Sequence, residues 1–170
     1  MLAGAADVET HVVISKGAEA TIEYETSLSA DQVRKLADVV HSESSLGASI
    51  ASGTFLTGGM VVAPCSIKTL SSIANSYNTD LITRAADVCL KERRKLVLVV
   101  RETPLHAGHL RLMTQVTEAG AVVLPPVPGF YTLPTTVAEI VDHTVTKILD
   151  QFDIDLSLIE RWSGINPAGS

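Results

Sequence analysis

The chain has 170 residues, of which 46% are hydrophobic and 4% aromatic, and a formal net charge of −6. This length supports one well-formed core but not two, and the negative balance argues against nucleic acid or an anionic membrane as the default partner. No apolar run reaches membrane-spanning length. The two cysteines, Cys65 and Cys89, make no disulfide framework, and the N-terminal MLAGAADVETH lacks the basic start of a signal peptide, so a reduced cytoplasmic setting is expected.

In chain order, MLAGAADVE reads as the end of a helix with no strand ahead of it. Residues 10–14, THVVI, read as a first strand closed by Ser15-Lys16, and residues 17–24 as a helix ending near Glu25. Ser29 is placed to cap a helix running through Val40, with Gln32 completing a capping box and Ala30, Val33, Leu36 and Ala37 at helical spacing. Residues 41–59 are rich in Ser and Gly and read as loop. Residues 60–63 form a strand that Pro64 cuts off, and Ser66 caps a helix over 67–76. Residues 83–94 read as helix, 96–100 as a buried strand of branched apolar residues, and 106–119 as a helix stopped by Gly120. Residues 121–124 are a strand closed by PPVPGFY, after which Thr135 or Thr136 caps a long amphipathic helix to about Phe152. Alternating strands and helices predict an α/β fold with a parallel sheet and helices on both faces. Residues 1–152 read as a single domain and 153–170 as a mostly irregular tail.

Parallel sheets carry their functional groups just past the carboxyl ends of the strands. Arg101-Glu102 follows the strand at 96–100, and a guanidinium there suits a phosphate or carboxylate, or a structural salt bridge with Glu102 or Asp87. Ser66, Lys68 and Thr69 stand at a helix start, where free N–H groups and the dipole favour an anion; the other reading of these residues is a plain cap with a solvated lysine. Ser15-Lys16 repeats that pattern. Glu25 closes a helix, and a lone glutamate is ordinarily solvated unless a buried neighbourhood raises its pKa. Tyr131 is the polar-tipped aromatic of the PPVPGFYTLP loop. Lys147, Asp142 and His143 read as a solvated helix face, and His106 and His109 as surface or structural residues. No Cys/His/Asp set of suitable spacing predicts a metal, and there is no GxSxG, Walker A or CxxC motif. These residues describe an α/β domain that binds a phosphate-bearing ligand at its strand ends, with the reaction left open.

Four strings in order, VVAPCSIKTLSSIA, LITRAADVCLKERRKLVLVVRETPL, AVVLPPVPGFYTLP and VTKILDQFDID, together with DVETHVVISKGAEATIEYET, resemble the UbiX-type flavin prenyltransferases. That group includes the phenylacrylic acid decarboxylase-associated proteins and the B subunits of hydroxyarylic acid decarboxylases, and the resemblance covers nearly the whole chain. It implies a flavodoxin-like, Rossmann-like three-layer fold that binds FMN. It also implies transfer of a dimethylallyl group from dimethylallyl phosphate, or the diphosphate, to flavin N5, then ring closure onto C6. The product, prenylated FMN, serves a UbiD-type decarboxylase; no metal is needed, and the assembly is a homododecamer with sites at subunit interfaces. Carried over by motif, Ser15, the Ser66-Ile67-Lys68-Thr69 turn, Arg84 and Arg101 match flavin-site positions. Glu25 matches the acid–base glutamate. Lys91, Arg101, Tyr131 and Lys147 match the prenyl phosphate set, and Trp162 a C-terminal aromatic that covers the site.

The chain departs from the family pattern in three places. The opening strand and its G-[AS]-[ST]-G turn, which cradles the FMN phosphate, are absent, so the first strand of the sheet is expected to be missing. Lys147 stands where many members carry arginine, keeping the charge without the bidentate geometry. HAGHLRLM replaces S-x-x-H-L-E-N-M, putting Arg111-Leu112 in place of Glu-Asn. The alternatives are direct decarboxylation of phenolic or cinnamic acids, decarboxylation of cysteine peptides, and a non-catalytic flavin-binding or assembly subunit.

Overall fold

Strands and helices alternate along the chain, and the computed structural model describes residues 8–161 and 164. Strand β1 (His11–Val13) leads to α1 (Lys16–Glu25), α2 (Ala30–Arg34) and β2 (Val39–His41). A short 3-10 turn at Ser49–Ala51 precedes β3 (Gly59–Cys65), which is followed by α3 (Ile67–Ala74), α4 (Leu81–Lys91) and β4 (Lys95–Val100). Then come α5 (Ala107–Glu118), β5 (Val122–Val123) and α6 (Val137–Asp150). Every strand pairing among the described residues is parallel, as expected. Among the described residues the strands form two hydrogen-bonded sheets, β1–β2 and β3–β4–β5. The opening MLAGAAD and any strand ahead of β1 lie outside the described residues.

β4 is the axis of the larger sheet. Leu96, Leu98 and Val100 point to one face and join a core with Leu70 and Ile73 of α3, Ala86 and Cys89 of α4, and Val116 of α5. Val97 and Val99, on the other face, are buried as well. Burial of both faces accounts for the unbroken apolar run, while β3 and β5 pair its backbone on the two edges.

Two expectations are corrected. The helix from Ser29 does not run through Val40. The capping box forms, with Gln32 N–H donating to Ser29 Oγ at 3.2 Å and Ser29 N–H to Gln32 Oε1 at 2.8 Å, but α2 stops at Arg34. The Asp38 carboxylate accepts from both the backbone N–H and the hydroxyl of Thr10, each at 2.7 Å, and aligns Val39 with His11. Branched Val39 and Val40 then enter a parallel strand, for which they are better suited than for a helix. The second correction is at Pro64, which does not end its strand. β3 continues to Cys65 and its register against β4 shifts between Val62 and Cys65. A residue with no N–H is tolerated where the ladder is irregular.

Caps set the remaining boundaries. Asp80 caps α4 by accepting from Thr83 N–H at 2.8 Å, which starts that helix two residues ahead of the expected Thr83. Thr136 caps α6, and His106 caps α5 through its ring nitrogen. Gly59 opens β3 at φ 145°, and a side chain there would meet the Lys95 carbonyl at 2.5 Å and the Phe152 ring at 2.7 Å. Glycine thus lets Phe152, just past the last helix, approach the start of β3.

Leu98 is fully buried between two strands, so Leu98→Ala is expected to cost about 2–5 kcal/mol in urea unfolding. Tyr24→Ala, at a side chain 93% exposed, is expected to stay within about 0.5 kcal/mol. Equal costs for the two would contradict this placement of the core.

Candidate functional site at the carboxyl edge of the strands

Because the strands run parallel, the residues that follow them gather along one edge. Ser15 follows β1 and caps α1, its Oγ accepting from Ala18 N–H at 3.1 Å. Ser66 follows β3 and caps α3, accepting from Thr69 N–H at 3.2 Å and lying 3.1 Å from the Thr69 hydroxyl. The N–H groups of Ile67 and Lys68, in the same first turn, have no acceptor within the helix and sit at its positive end. Arg101 follows β4, and its backbone N–H points to the Cys65 carbonyl at 3.4 Å, which sets it beside the Ser66 turn.

Arg101 pairs with neither Glu102 nor Asp87. Its Nη1 donates to Glu25 Oε2 at 2.9 Å and its Nη2 to Glu25 Oε1 at 3.2 Å, a two-pronged bridge across 76 positions of sequence. Glu25 is the last residue of α1, and the last turn of that helix holds no basic residue. Helix carbonyls at that end disfavour a carboxylate, and the guanidinium offsets them: hydrogen bonding and charge from Arg101 hold Glu25 below the usual carboxylate range. Glu25 in turn raises Arg101. A depressed carboxyl pKa stabilises the fold above its unfolded value and loses that effect as pH falls through the folded value. The bridge is therefore intact at neutral pH and opens in acid. The two side chains are 53% and 52% exposed, so water screens it.

Cys65 lies next to this cluster but is not a nucleophile. It is fully buried, and burial pushes its thiol up to about 12. Cys89 is raised for the same reason.

Tyr131 and Lys147 come together at a second place. With Thr132, Thr146, Asp150 and Arg161 they line a cavity of about 230 Å³. The Tyr131 hydroxyl lies 2.7 Å from His143 Nε2, and the rings meet edge-on at 5.4 Å. His143 is therefore not on a solvated face: it is buried, and it fixes the tyrosine from below. His143, Thr146 and Leu149, all buried, are three apart along α6. That spacing was visible in the sequence, but the polar residue types concealed it. Arg161, not singled out from the sequence, is held over this cavity by Asp150 at 2.9 Å and Asp155 at 3.3 Å.

Of two further expected members, Arg84 is engaged by its neighbours and Lys91 stands apart. Arg84 Nε donates to the Ala51 carbonyl at 3.1 Å, and its Nη1 to Asp87 at 3.3 Å. Lys91 ends α4 and pairs with Glu92, close to Gly53. It lies before β4 while Arg101 lies after it, and six extended residues span about 20 Å. One chain thus brings Ser15, Glu25, Ser66–Thr69 and Arg101 to the strand ends and Tyr131 and Lys147 to a second cavity, without Lys91. Trp162 lies outside the described residues. Among those described, no group of three His, Cys, Asp or Glu is placed to hold a metal, and no helix is long and apolar enough to cross a membrane.

A flavoprotein family model matches residues 2–152. The chain is 61% identical over 157 residues to the flavin prenyltransferase UbiX of Thauera aromatica, covering 92% of this chain and 81% of that one. In structure it is similar to AnUbiX (PadA1) crystallised with FMN and dimethylallyl pyrophosphate, at TM-score 0.92 and 52% identity over 94% of this chain and 85% of the other. It is also similar to the dodecameric FMN-dependent UbiX-like decarboxylase of Escherichia coli O157:H7, at TM-score 0.94 and 49% identity over 96% and 88%. The fold is accordingly the flavodoxin-like one. The chain belongs to the flavoprotein family and, within it, to the UbiX flavin prenyltransferases.

With Cys65 and Cys89 both buried, neither thiol is expected to react with a disulfide reagent at pH 8 until the protein is denatured, when two thiols titrate. Labelling of native Cys65 would contradict its inert role.

Proposed function

We propose that this protein is a flavin prenyltransferase, which transfers a dimethylallyl group from dimethylallyl phosphate to FMN and forms prenylated FMN for a UbiD-type decarboxylase. The observation that carries the reading is the carboxyl-edge cluster: hydroxyl and N–H donors at the start of α3, with Arg101 and Glu25 one strand over. It occurs in a chain of the same family and fold as a protein crystallised with FMN and the pyrophosphate donor.

The donors at that edge fit an anionic, acceptor-rich ligand such as FMN. Ser15, the Ser66-Ile67-Lys68-Thr69 turn, Arg84 and Arg101 hold it. The flavin, when bound, supplies the nucleophile for the allyl carbon. The task left to the protein is position and electrostatics. Cleaving an allylic C–O bond leaves an anionic phosphate, and Arg101, Lys147, Lys91 and the Tyr131 hydroxyl stabilise that charge. Glu25 accepts or returns a proton at its carboxylate.

Since Lys91 is remote from Arg101 within one chain, it serves the site of a neighbouring copy. We place the protein in a homododecamer on its similarity to the dodecameric UbiX-like structure, with the exposed apolar run Val127, Phe130, Leu133, Val137 and Val141 as contact surface. The enzyme is assigned to the cytoplasm.

Protein supplied with reduced FMN and dimethylallyl phosphate is expected to form prenylated FMN, followed by mass spectrometry. Glu25→Gln should slow turnover about 10²- to 10⁴-fold with FMN retained. Absence of product from wild-type protein would sink the reading. Release of carbon dioxide from cinnamic acid by the isolated protein would favour a decarboxylase instead.

A further inference from the structure

The fork that would grip a phosphate is already engaged. Both terminal nitrogens of Arg101 donate to the two oxygens of one carboxylate, Glu25. A guanidinium edge that holds a carboxylate bidentately cannot hold a phosphate by the same two donors. Among the described residues, Arg101 is the charge acting on Glu25, and Glu25 is the charge acting on Arg101. We propose that this pair is a latch worked by the phosphate of the prenyl donor: an anion that takes the Arg101 guanidinium releases the Glu25 carboxylate and arms it as a base. The proposal rests on the prenyltransferase reading and concerns the order of events at its site.

Three observations give the latch its direction. First, the bridge is weak, since both partners are about half exposed and water competes for each. Second, the incoming phosphate carries more charge than the carboxylate it displaces. It meets an Arg101 that its hydrogen bond to the Cys65 carbonyl sets beside the Ser66 turn, near the positive end of α3. Third, Glu25 is not left indifferent when released. It ends α1, where the helix carbonyls carry partial negative charge and no basic residue in the last turn offsets them. Stripped of Arg101, its carboxylate loses the contact that lowers its pKa and has a higher affinity for a proton than in the bridge. Phosphate binding and proton uptake at Glu25 are then linked, and the coupling is reciprocal. Without donor, Glu25 stays ionised and occupied; with donor, it becomes available and basic.

The test compares wild-type and Glu25→Gln protein, each supplied with FMN, titrated calorimetrically with inorganic phosphate at pH 7.5. Removing the competing carboxylate frees the fork, so the variant is expected to bind phosphate about two- to five-fold more tightly, the strength of an exposed pair. A parallel measurement on wild-type protein follows the Glu25 carboxyl by carbon-13 NMR, and its titration midpoint should rise when phosphate saturates the site. Phosphate bound no more tightly by the variant, or an unmoved midpoint, overturns the latch; Arg101 would then grip its ligand by another edge with Glu25 retained. Either failure is distinguishable from failure of the prenyltransferase reading, because product formation by wild-type enzyme is read independently.

Discussion

Strand β4 has a hydrogen-bonded neighbour on each edge and five buried side chains out of six. A strand enclosed in this way leaves the chain no freedom of register, because a slip of one residue would exchange its two faces. β3 and β5 must align with it, and the helices that connect them must cover its faces. Everything polar is pushed to its ends. At the amino end stand Lys95, Arg94 and, just before them, Lys91; at the carboxyl end stand Arg101 and Glu102. The division of the cationic residues into two groups follows from that one buried run.

The segment between β2 and β3 is tied to this unit by polar contacts across long sequence separations. Arg94 donates to the Phe55 and Gly53 carbonyls, Arg84 to that of Ala51, and Leu81 N–H to that of Glu43. Arg101 to Glu25 is a further tie, and the one made at the site itself. A contact that both joins two parts of a fold and occupies a ligand-binding cation is well suited to respond to the ligand, since the same donors cannot serve both partners.

Local chemistry made most elements legible. The Ser29/Gln32 capping box, the Ser66 cap, the branched run at 96–100 and Gly120 after α5 were read from short strings and are present. The errors came where a distant contact overruled a local preference. Asp38 gave its carboxylate to Thr10, and the two valines that follow became strand where their neighbours had suggested helix. Pro64 was absorbed by a shift of register that only its pairing with β4 reveals. His143 looked solvated because histidine is usually so on an exposed-looking face, yet Tyr131 holds it inside.

The sequence by itself determined the α/β class, the caps and the types of residue at the strand ends, because propensity, capping and hydrophobic period act over a few residues. It also carried the family's strings, and with them the expectation of a flavin and a prenyl phosphate. Only the tertiary structure decided which of those residues meet. It joined Glu25 to Arg101 across 76 positions, set Tyr131 with Lys147 around one cavity, and left Lys91 beyond the far end of β4. Partner choice between side chains depends on strand order and register, which arise from the packing of the whole core and which no local string encodes.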